Sequence, residues 1–447
     1  MRGVLPTTAD VVIVGAGSAG CVIAERLSRD PARSVVLVER GPRAWPSATV
    51  RDLGGLPIES GADYAVDIEE MSGLGVVRGR GVGGSAAVNG GYFLRWHPDD
   101  FVGWPDDWGL EDIATSFDEL DGPNGTMGVS AFADDELADV VEHFETYWAK
   151  ELPVRAPRDA WPITGVNRVR SNRDGRLRRT SAEAYLRPVV DRPNLSVVTD
   201  AEVAELIVSG TRVDGVRIGD EALSTGEVVL SAGTLGTAAI LLRSDLGALA
   251  GIRELPIHEH REILVHYRRR DVVAHRRTAL LQSVVHTADD LEIRCYSADM
   301  ANYVKGLPPA GPAIGVAVMR PGSAGSIRTG PSGTIVDLGS MDPASAHKAG
   351  RGVDAVATML ASNDFADIVE PGSIAVDPVV RTSQHAWGSM PMGKRTDSRG
   401  GVDGIAGLRI VDGSILPTAG RSGPHATIMM VAVRIADELI PTRRHGP

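Results

Sequence analysis

"VVIVGAGSAG" occupies residues 11–20. Its β-branched start suits a strand buried on both faces of a parallel sheet. Gly15, Gly17 and Gly20 then fall at GxGxxG spacing. The first glycine allows a tight turn, the second lets backbone approach a pyrophosphate, and the third lets helix meet strand. Ser18 opens a helix whose unpaired N–H groups favour that pyrophosphate. "AGCVIAERLSRD" (19–30) continues it, with apolar Cys21, Ile23, Ala24 and Leu27 at helical spacing. "PARSVVLVERG" (31–41) is a second buried strand ending at Glu39, 24 residues after Gly15. A carboxylate there accepts hydrogen bonds from ribose hydroxyls and repels a 2′-phosphate, which argues against NADP. The fingerprint alone does not separate FAD from NAD.

A second glycine loop narrows the reading. "VVRGRGVGGSAAVNGGYFLR" (76–95) sets Arg78 and Arg80 before Gly81, Gly83, Gly84 and Ser85, then Asn89, Gly90 and Gly91. A loop this short of side chains can lie flat against a ring system and its diphosphate. Glycine is abundant (52) and recurs closely at 15–20, 73–91, 400–407 and 413–423, so backbone is expected to meet a large ligand several times over.

The remaining chain bounds the architecture. At 447 residues two domains are the natural expectation. A net charge of −12 speaks against nucleic acid, which needs a basic face. Cys21 and Cys295 are the two cysteines, too few for a disulfide framework, so a reducing compartment is expected. No signal segment is visible and no window reaches the ~18 apolar residues of a spanning helix. The expected location is cytoplasmic, with peripheral contact at the inner membrane face left open. Strand-like runs return at 193–240, and alternating segments over 262–340, such as "ILVHYRRRDVVAH" and "AIGVAVMR", suit an antiparallel sheet. "GLRIVDGSILPT" and "HATIMMVAVRIADELI" close the chain with a strand, a loop and an amphipathic helix. The expected fold is α/β, a Rossmann-like domain from 1–95, 190–262 and 395–447. A second, α+β substrate domain on an antiparallel sheet comes from 96–189 and 263–394.

Four motifs in order resemble the glucose–methanol–choline (GMC) oxidoreductases. The 76–95 loop resembles their Gly-Gly-Ser-Ser-x-x-Asn-Gly flavin signature. "VVLSAGTLGTAAILLRS" (228–244) resembles the second signature, and "QHAWGSMPMG" (384–393) the His-x-x-Gly-Thr-x-x-Met-Gly segment. "LRIVDGSILPT" followed by "GPHATIMM" resembles the C-terminal block. Within the family, "RGRGVGGSAAVNGGYF" and "SGPHATI" are most similar to the mycofactocin-associated branch.

The resemblance implies the GMC fold, FAD as cofactor and hydride removal from an alcohol-type donor, reduced mycofactocin first among candidates. Electrons then pass to a downstream acceptor, which could belong to the respiratory chain. It implies His385 as the base and His425 as the second residue at the substrate hydroxyl. It also implies cofactor contacts from Gly15, Gly17, Ser18, Gly20, Glu39, Arg80, Gly83, Gly84, Ser85, Asn89, Gly90, Val203, Ala232, Asp412, Gly413, His425, Ala426 and Thr427. Val203 would offer backbone to the adenine edge, and Asp412-Gly413 would approach the diphosphate or ribityl chain. No histidine lies in the 76–95 loop, so FAD is expected to be non-covalent.

Histidine suits the base because its ordinary pKa of ~6.5 leaves it neutral near pH 7. Taken alone, His425 is also an ordinary helix-start residue and His385 an ordinary packed one. His258, His260 and His266 cluster in "PIHEHREILVH", with 258 and 260 on one face of an extended segment. No cysteine or carboxylate pattern completes a metal site there, so none is expected. His260-Arg-Glu-Ile resembles the family's Asp-His-Pro segment without its Asp and Pro. Ser389 stands where threonine is usual, and Trp387 stands where a small residue is common, which would narrow the pocket or stack on a planar substrate. The competing readings are an oxygen-using small-alcohol oxidase and a hydroxynitrile-lyase-type enzyme with structural FAD.

Overall fold

A computed structural model describes residues 5–246, 251–271, 277–330 and 333–440. Five parallel strands run in the order Leu408–Ile410, Val228–Leu230, Val11–Val14, Val35–Val38 and Leu195–Val198. The three inner strands are buried throughout, as uninterrupted Val/Ile/Leu runs require. Helix Ser18–Leu27 is buried from Ala19 onward, because the sheet lies on one side and helix His425–Glu438 on the other. Helix Leu110–Asp121 packs outside that second helix. The last helix of the chain thus seals the first helix of the nucleotide-type unit.

A second sheet of seven strands is antiparallel. Its centre is built from Arg261–His266, Ala313–Val318, Leu291–Tyr296, Leu281–His286 and Gly165–Arg168. The short strands Ala375–Val376 and Arg381–Thr382 both pair with Arg261–His266. Helices Pro343–Leu360 and Asp139–Trp148 pack on this sheet.

The structure divides the core differently from the ranges read in the sequence. Gly325–Gly330 and Gly333–Asp337 leave the large sheet and pair with Glu254–Ile257 in a sheet of three. Ile327, Val336 and Leu338 consequently share a core with the parallel sheet, as do Trp96, Phe101, Trp104, Trp108 and Phe117. A boundary between 262 and 263 cuts the continuous strand Arg261–His266. Alternation reports a half-buried strand but not the surface it packs on. The part of "ILVHYRRRDVVAH" from residue 272 to 275 lies outside the described residues.

Arg178 pins the second glycine loop from below. Its side chain is fully buried and donates to the carbonyls of Val50 (2.6 Å), Asn89 and Gly55. Burial pushes its pKa down to about 10, opposed by Asp52, so the guanidinium stays charged at neutral pH. Arg178→Met would strand several buried carbonyls at roughly 1–3 kcal/mol each. The variant is expected to unfold at a lower urea midpoint and to retain less flavin. An unchanged midpoint would show that Arg178 does not hold the loop.

Candidate active site

Two glycine loops meet at the carboxyl end of the parallel sheet. Gly15 adopts φ +101°, and a Cβ there would lie 2.5 Å from the Ser231 carbonyl oxygen. A Cβ on Gly20 would strike the Gly15 carbonyl at 1.9 Å, and one on Gly84 (φ +52°) would lie 2.8 Å from Gly17 Cα. Only glycine permits this stacking of backbone on backbone. Glu39 joins the two loops. Its Oε2 accepts from the Ala16 N–H (2.9 Å), and its Oε1 accepts from Gly41 and Gly81 (2.8 Å each).

The cleft between the loops is a cavity of about 600 Å³. Gly15, Gly17, Ser18, Glu39, Gly84, Ser85, Asn89, Gly90, Val203, Ala232, Asp412 and Gly413 line it together with His385 and His425. Residues that lie 40 positions apart in sequence thus share one wall. Asp412 caps the turn Gly413–Ile415, accepting from Ser414 N–H (2.8 Å) and from the Thr237 hydroxyl (2.5 Å).

Five expected cofactor residues stand off the wall. Gly20 is buried between helix and strand, at the close approach that its missing Cβ allows. Gly83 (φ +102°) makes the turn behind the loop, its N–H donating to the Ala16 carbonyl. Arg80 lies past the end of strand Val76–Gly79, and Gly81 (φ +90°) turns the chain there, so Arg78 reaches the cavity instead. Ala426 and Thr427 face the core, whereas His425 and Ile428, three apart on the same helix, face the cavity. Trp387 does not line the cavity either. It is buried against His258 (ring centroids 5.5 Å, stacked) and His260 (4.5 Å).

The shared face of His258 and His260 is real, and it meets Trp387. His266 sits apart, near the Gly311 carbonyl and Asp377. Among the described residues no group of three or more His, Cys, Asp or Glu could hold a metal ion. Cys21 is buried and its thiol is pushed up to about 12 by burial, so it is not a thiolate at neutral pH.

The two wall histidines differ in wiring. Asn89 Oδ1 accepts from the Gly91 N–H (2.9 Å), which turns its Nδ2 towards His425 Nδ1 at 3.4 Å. The Tyr92 carbonyl also acts on this ring in the direction that favours a proton on it, and its Nε2 is buried without a hydrogen-bond partner. His385 donates its backbone N–H to both oxygens of Glu259 (2.8 and 3.0 Å). Its Nδ1 lies 3.0 Å from His260 Nδ1, and its Cε1–Nε2 edge faces Gly423, where a Cβ would come within 3.2 Å of Cε1. Burial holds His385 well below the usual histidine range, and pushes His425 down to about 4 and His260 to about 3. Both wall histidines are neutral at pH 7.

The chain matches the GMC oxidoreductase model over residues 9–258 and the C-terminal GMC oxidoreductase model over 343–432. The chain belongs to the GMC oxidoreductase family. A GMC-type oxidoreductase of Rhodococcus erythropolis, itself uncharacterised, is 32% identical over 494 residues, 97% of this chain and 98% of that protein. Pyridoxine 4-oxidase of Microbacterium luteolum is 34% identical over 280 residues, about half of each chain (55% and 54%). Among solved structures, pyridoxine 4-oxidase from Mesorbium loti superposes with a TM-score of 0.85 at 25% identity, covering 96% of this chain and 99% of that one. Formate oxidase superposes with a TM-score of 0.83 at 17% identity, covering 97% and 98%, a likeness of fold.

As a GMC oxidoreductase, the protein is an FAD enzyme acting on CH–OH donors. The backbone cradle at Gly15, Gly17 and Gly84, beside a buried carboxylate, fits a flavin dinucleotide in this cavity. No described helix is long and apolar enough to cross a membrane.

Sequence reasoning did not single out Tyr92, Glu259, Gln384, Glu292 and Arg294. Tyr92 lines the cavity and donates to Glu292 (2.6 Å), which also meets His286 (2.9 Å) and Arg294 (2.7 Å). His286 in turn meets His97 (2.8 Å). Arg294 and Glu292 sit two apart in a strand, which reads as an exposed charged edge unless the partner charges are known. Gln384 adopts φ +64° and bonds the Val77 N–H, the Arg78 guanidinium and the Gly75 carbonyl.

The buried histidines make stability depend on pH. Unfolded, each titrates near the ordinary ~6.5. Folded, His425 and His260 sit at about 4 and about 3, His97 is pushed to about 2 by burial, and His385 is also lowered. The unfolded chain therefore takes up protons that the folded chain refuses as pH falls below ~6.5, and stability is lost through that window. The urea midpoint is expected to drop from pH 7 to pH 4.5, and to drop less in His425→Asn. Equal drops would show that His425 is not held neutral.

Proposed function

We propose that the protein oxidises an alcohol at the wall formed by His385 and His425, with non-covalent FAD along the glycine loops. The observation that carries this reading is that two buried, neutral histidines line the same cavity. The Nε2 of His425, buried without a partner, suits the donor's hydroxyl group. The Nε2 of His385 is the matching acceptor for the hydroxyl proton. Neutral histidines placed this way supply general-base help at pH 7 without first losing a proton. Bound FAD supplies the hydride acceptor for the carbinol carbon.

Around the cofactor, Gly15, Gly17 and Ser18 suit the pyrophosphate, with the start of helix Ser18–Leu27 adding N–H groups and partial positive charge. Glu39 suits the adenosine ribose. Val203 lines the far end, where its backbone suits the adenine edge. The Gly84-Ser85 and Asn89-Gly90 segments, with Ala232 and Gly413, suit the ring and ribityl chain. Non-covalent binding is favoured because residues 76–95 contain neither histidine nor cysteine.

For the donor, the wording of "RGRGVGGSAAVNGGYF" and "SGPHATI" supports reduced mycofactocin, with electrons passed to a downstream acceptor at the inner membrane face. The likeness to two pyridoxine 4-oxidases supports a second reading, a small aromatic alcohol with oxygen as acceptor.

Anaerobic mixing separates these. The purified protein is expected to lose its oxidised-flavin absorbance with reduced mycofactocin and to regain it with an artificial dye acceptor. Bleaching by pyridoxine alone, reversed by oxygen, would transfer the protein to the second reading. His385→Ala is expected to keep its flavin spectrum yet bleach at least ~100-fold more slowly, the scale of general-base help. Bleaching at the wild-type rate in that variant would remove His385 as the base.

A further inference from the structure

We propose that His260 is the proton-sharing partner of His385, fixing its tautomer and accepting its Nδ1 proton as the donor's hydroxyl is deprotonated. The inference rests on the alcohol-oxidising reading above and concerns a residue that otherwise serves only as packing for Trp387.

Strand pairing brings the two rings together. His258 and Trp387 exchange both backbone hydrogen bonds, N to O at 2.9 and 3.0 Å. Two residues further along each chain, an antiparallel register sets His260 opposite His385, with side chains on the same face as the 258/387 pair. The ladder breaks at Gln384, whose φ of +64° is left-handed and strained for a non-glycine residue. Beyond the break, Ser383 donates to the His260 carbonyl, and the His385 N–H leaves the ladder for Glu259. The irregularity turns the His385 ring so that Nδ1 meets His260 Nδ1 at 3.0 Å, ring centroids 5.3 Å apart and planes at 89°.

Two Nδ1 atoms at that distance share one hydrogen. If His260 carried it, His385 would hold its own proton on Nε2 and present a donor to the cavity, where the reaction needs a base. If His385 carries it, Nε2 is bare towards Gly423 and the cavity, and His260 keeps its proton on Nε2. His260 Nε2 is buried without a hydrogen-bond partner, so the reaction decides the assignment: under the alcohol-oxidising reading the shared hydrogen belongs to His385.

The step balances as proton transfer alone. The donor's O–H bond breaks and an Nε2–H bond forms on His385. The Nδ1–H bond of His385 breaks and an Nδ1–H bond forms on His260. The donor's two electrons leave with the hydride, and the charge rests on His260 instead of on the ring beside the substrate. Arg294 and Arg78 oppose positive charge on His385, Arg294 and His258 oppose it on His260, and Glu292 favours it on both. Glu259, 3.8 Å from Arg78, holds the His385 backbone. The transfer leaves the charge on the ring that does not face the donor.

The test uses flavin-loaded protein with 15N-labelled histidine. Long-range 15N–1H spectra at pH 7, with His385→Asn used for assignment, report which nitrogen of each ring is protonated without any donor. The expected pattern is Nδ1–H with bare Nε2 for His385, and the reverse for His260. A proton on His385 Nε2 overturns the proposal. The second readout is the proton inventory of flavin bleaching by benzyl alcohol in mixtures of H2O and D2O. Wild type is expected to give a curved plot, with two protons in motion. His260→Asn, whose side-chain oxygen can accept the Nδ1–H but cannot take the proton, is expected to give a straight plot and a rate lower by at least about tenfold. Equal curvature in both proteins overturns the proton-sharing step. Failure of every alcohol to bleach the wild type overturns the alcohol reading and, with it, the transfer step, while the spectra still decide the pairing.

Discussion

The carboxylate of Glu39 accepts three backbone N–H groups from three separate turns. One belongs to the first glycine loop, one to the end of the second strand and one to the second glycine loop. A buried carboxylate is costly unless such donors satisfy it, and here the donors are the turns whose spacing shapes the cavity. With Glu39 holding Ala16 and Gly81, Gly84 can rest on Gly17 at a distance no side chain would tolerate. The cradle for the dinucleotide is therefore built from backbone and held by one acid. Arg178 completes it underneath through the Asn89 carbonyl, which places the Asn89 amide against His425.

Burial is the second shared theme. His385 and His425 reach the cavity from different directions, one on a broken strand pairing and one at the first turn of the closing helix. Each is kept neutral by being dry, and each is oriented by a neighbour that uses its Nδ1. In the proposed reading the two rings together serve the donor's hydroxyl group. The same dryness depresses stability in acid, so the chemistry and the pH sensitivity of the fold have a single cause.

Much of this was legible in the sequence. The GxGxxG spacing, the strand ending at Glu39 and the second glycine run imply parallel sheet, helix and ligand cleft, because backbone approach admits few residue types. Arg80 shows the limit: beside Arg78 in an RGR run, it is indistinguishable until the turn at Gly81 sets which side chain faces inward. Ala426 and Thr427 show a related limit, since one helical turn buries the side chains that follow His425. Trp387 packs on His258 and His260, contacts that local wording does not reveal. The Tyr92–Glu292–His286–His97 chain joins residues up to 200 positions apart, and long-range pairing of buried charges leaves no local pattern.

The most direct measurement is the deuterium isotope effect on anaerobic flavin bleaching, comparing a donor alcohol with its form deuterated at the carbinol carbon. Hydride loss from that carbon, assisted at the hydroxyl by His385, predicts slowing by several-fold with the deuterated donor and an essentially flat rate between pH 6 and 8, because the base is already neutral there. A flavin that stays oxidised with every alcohol, or bleaches at equal rates with both isotopic forms and only above an ordinary histidine pKa, would contradict it.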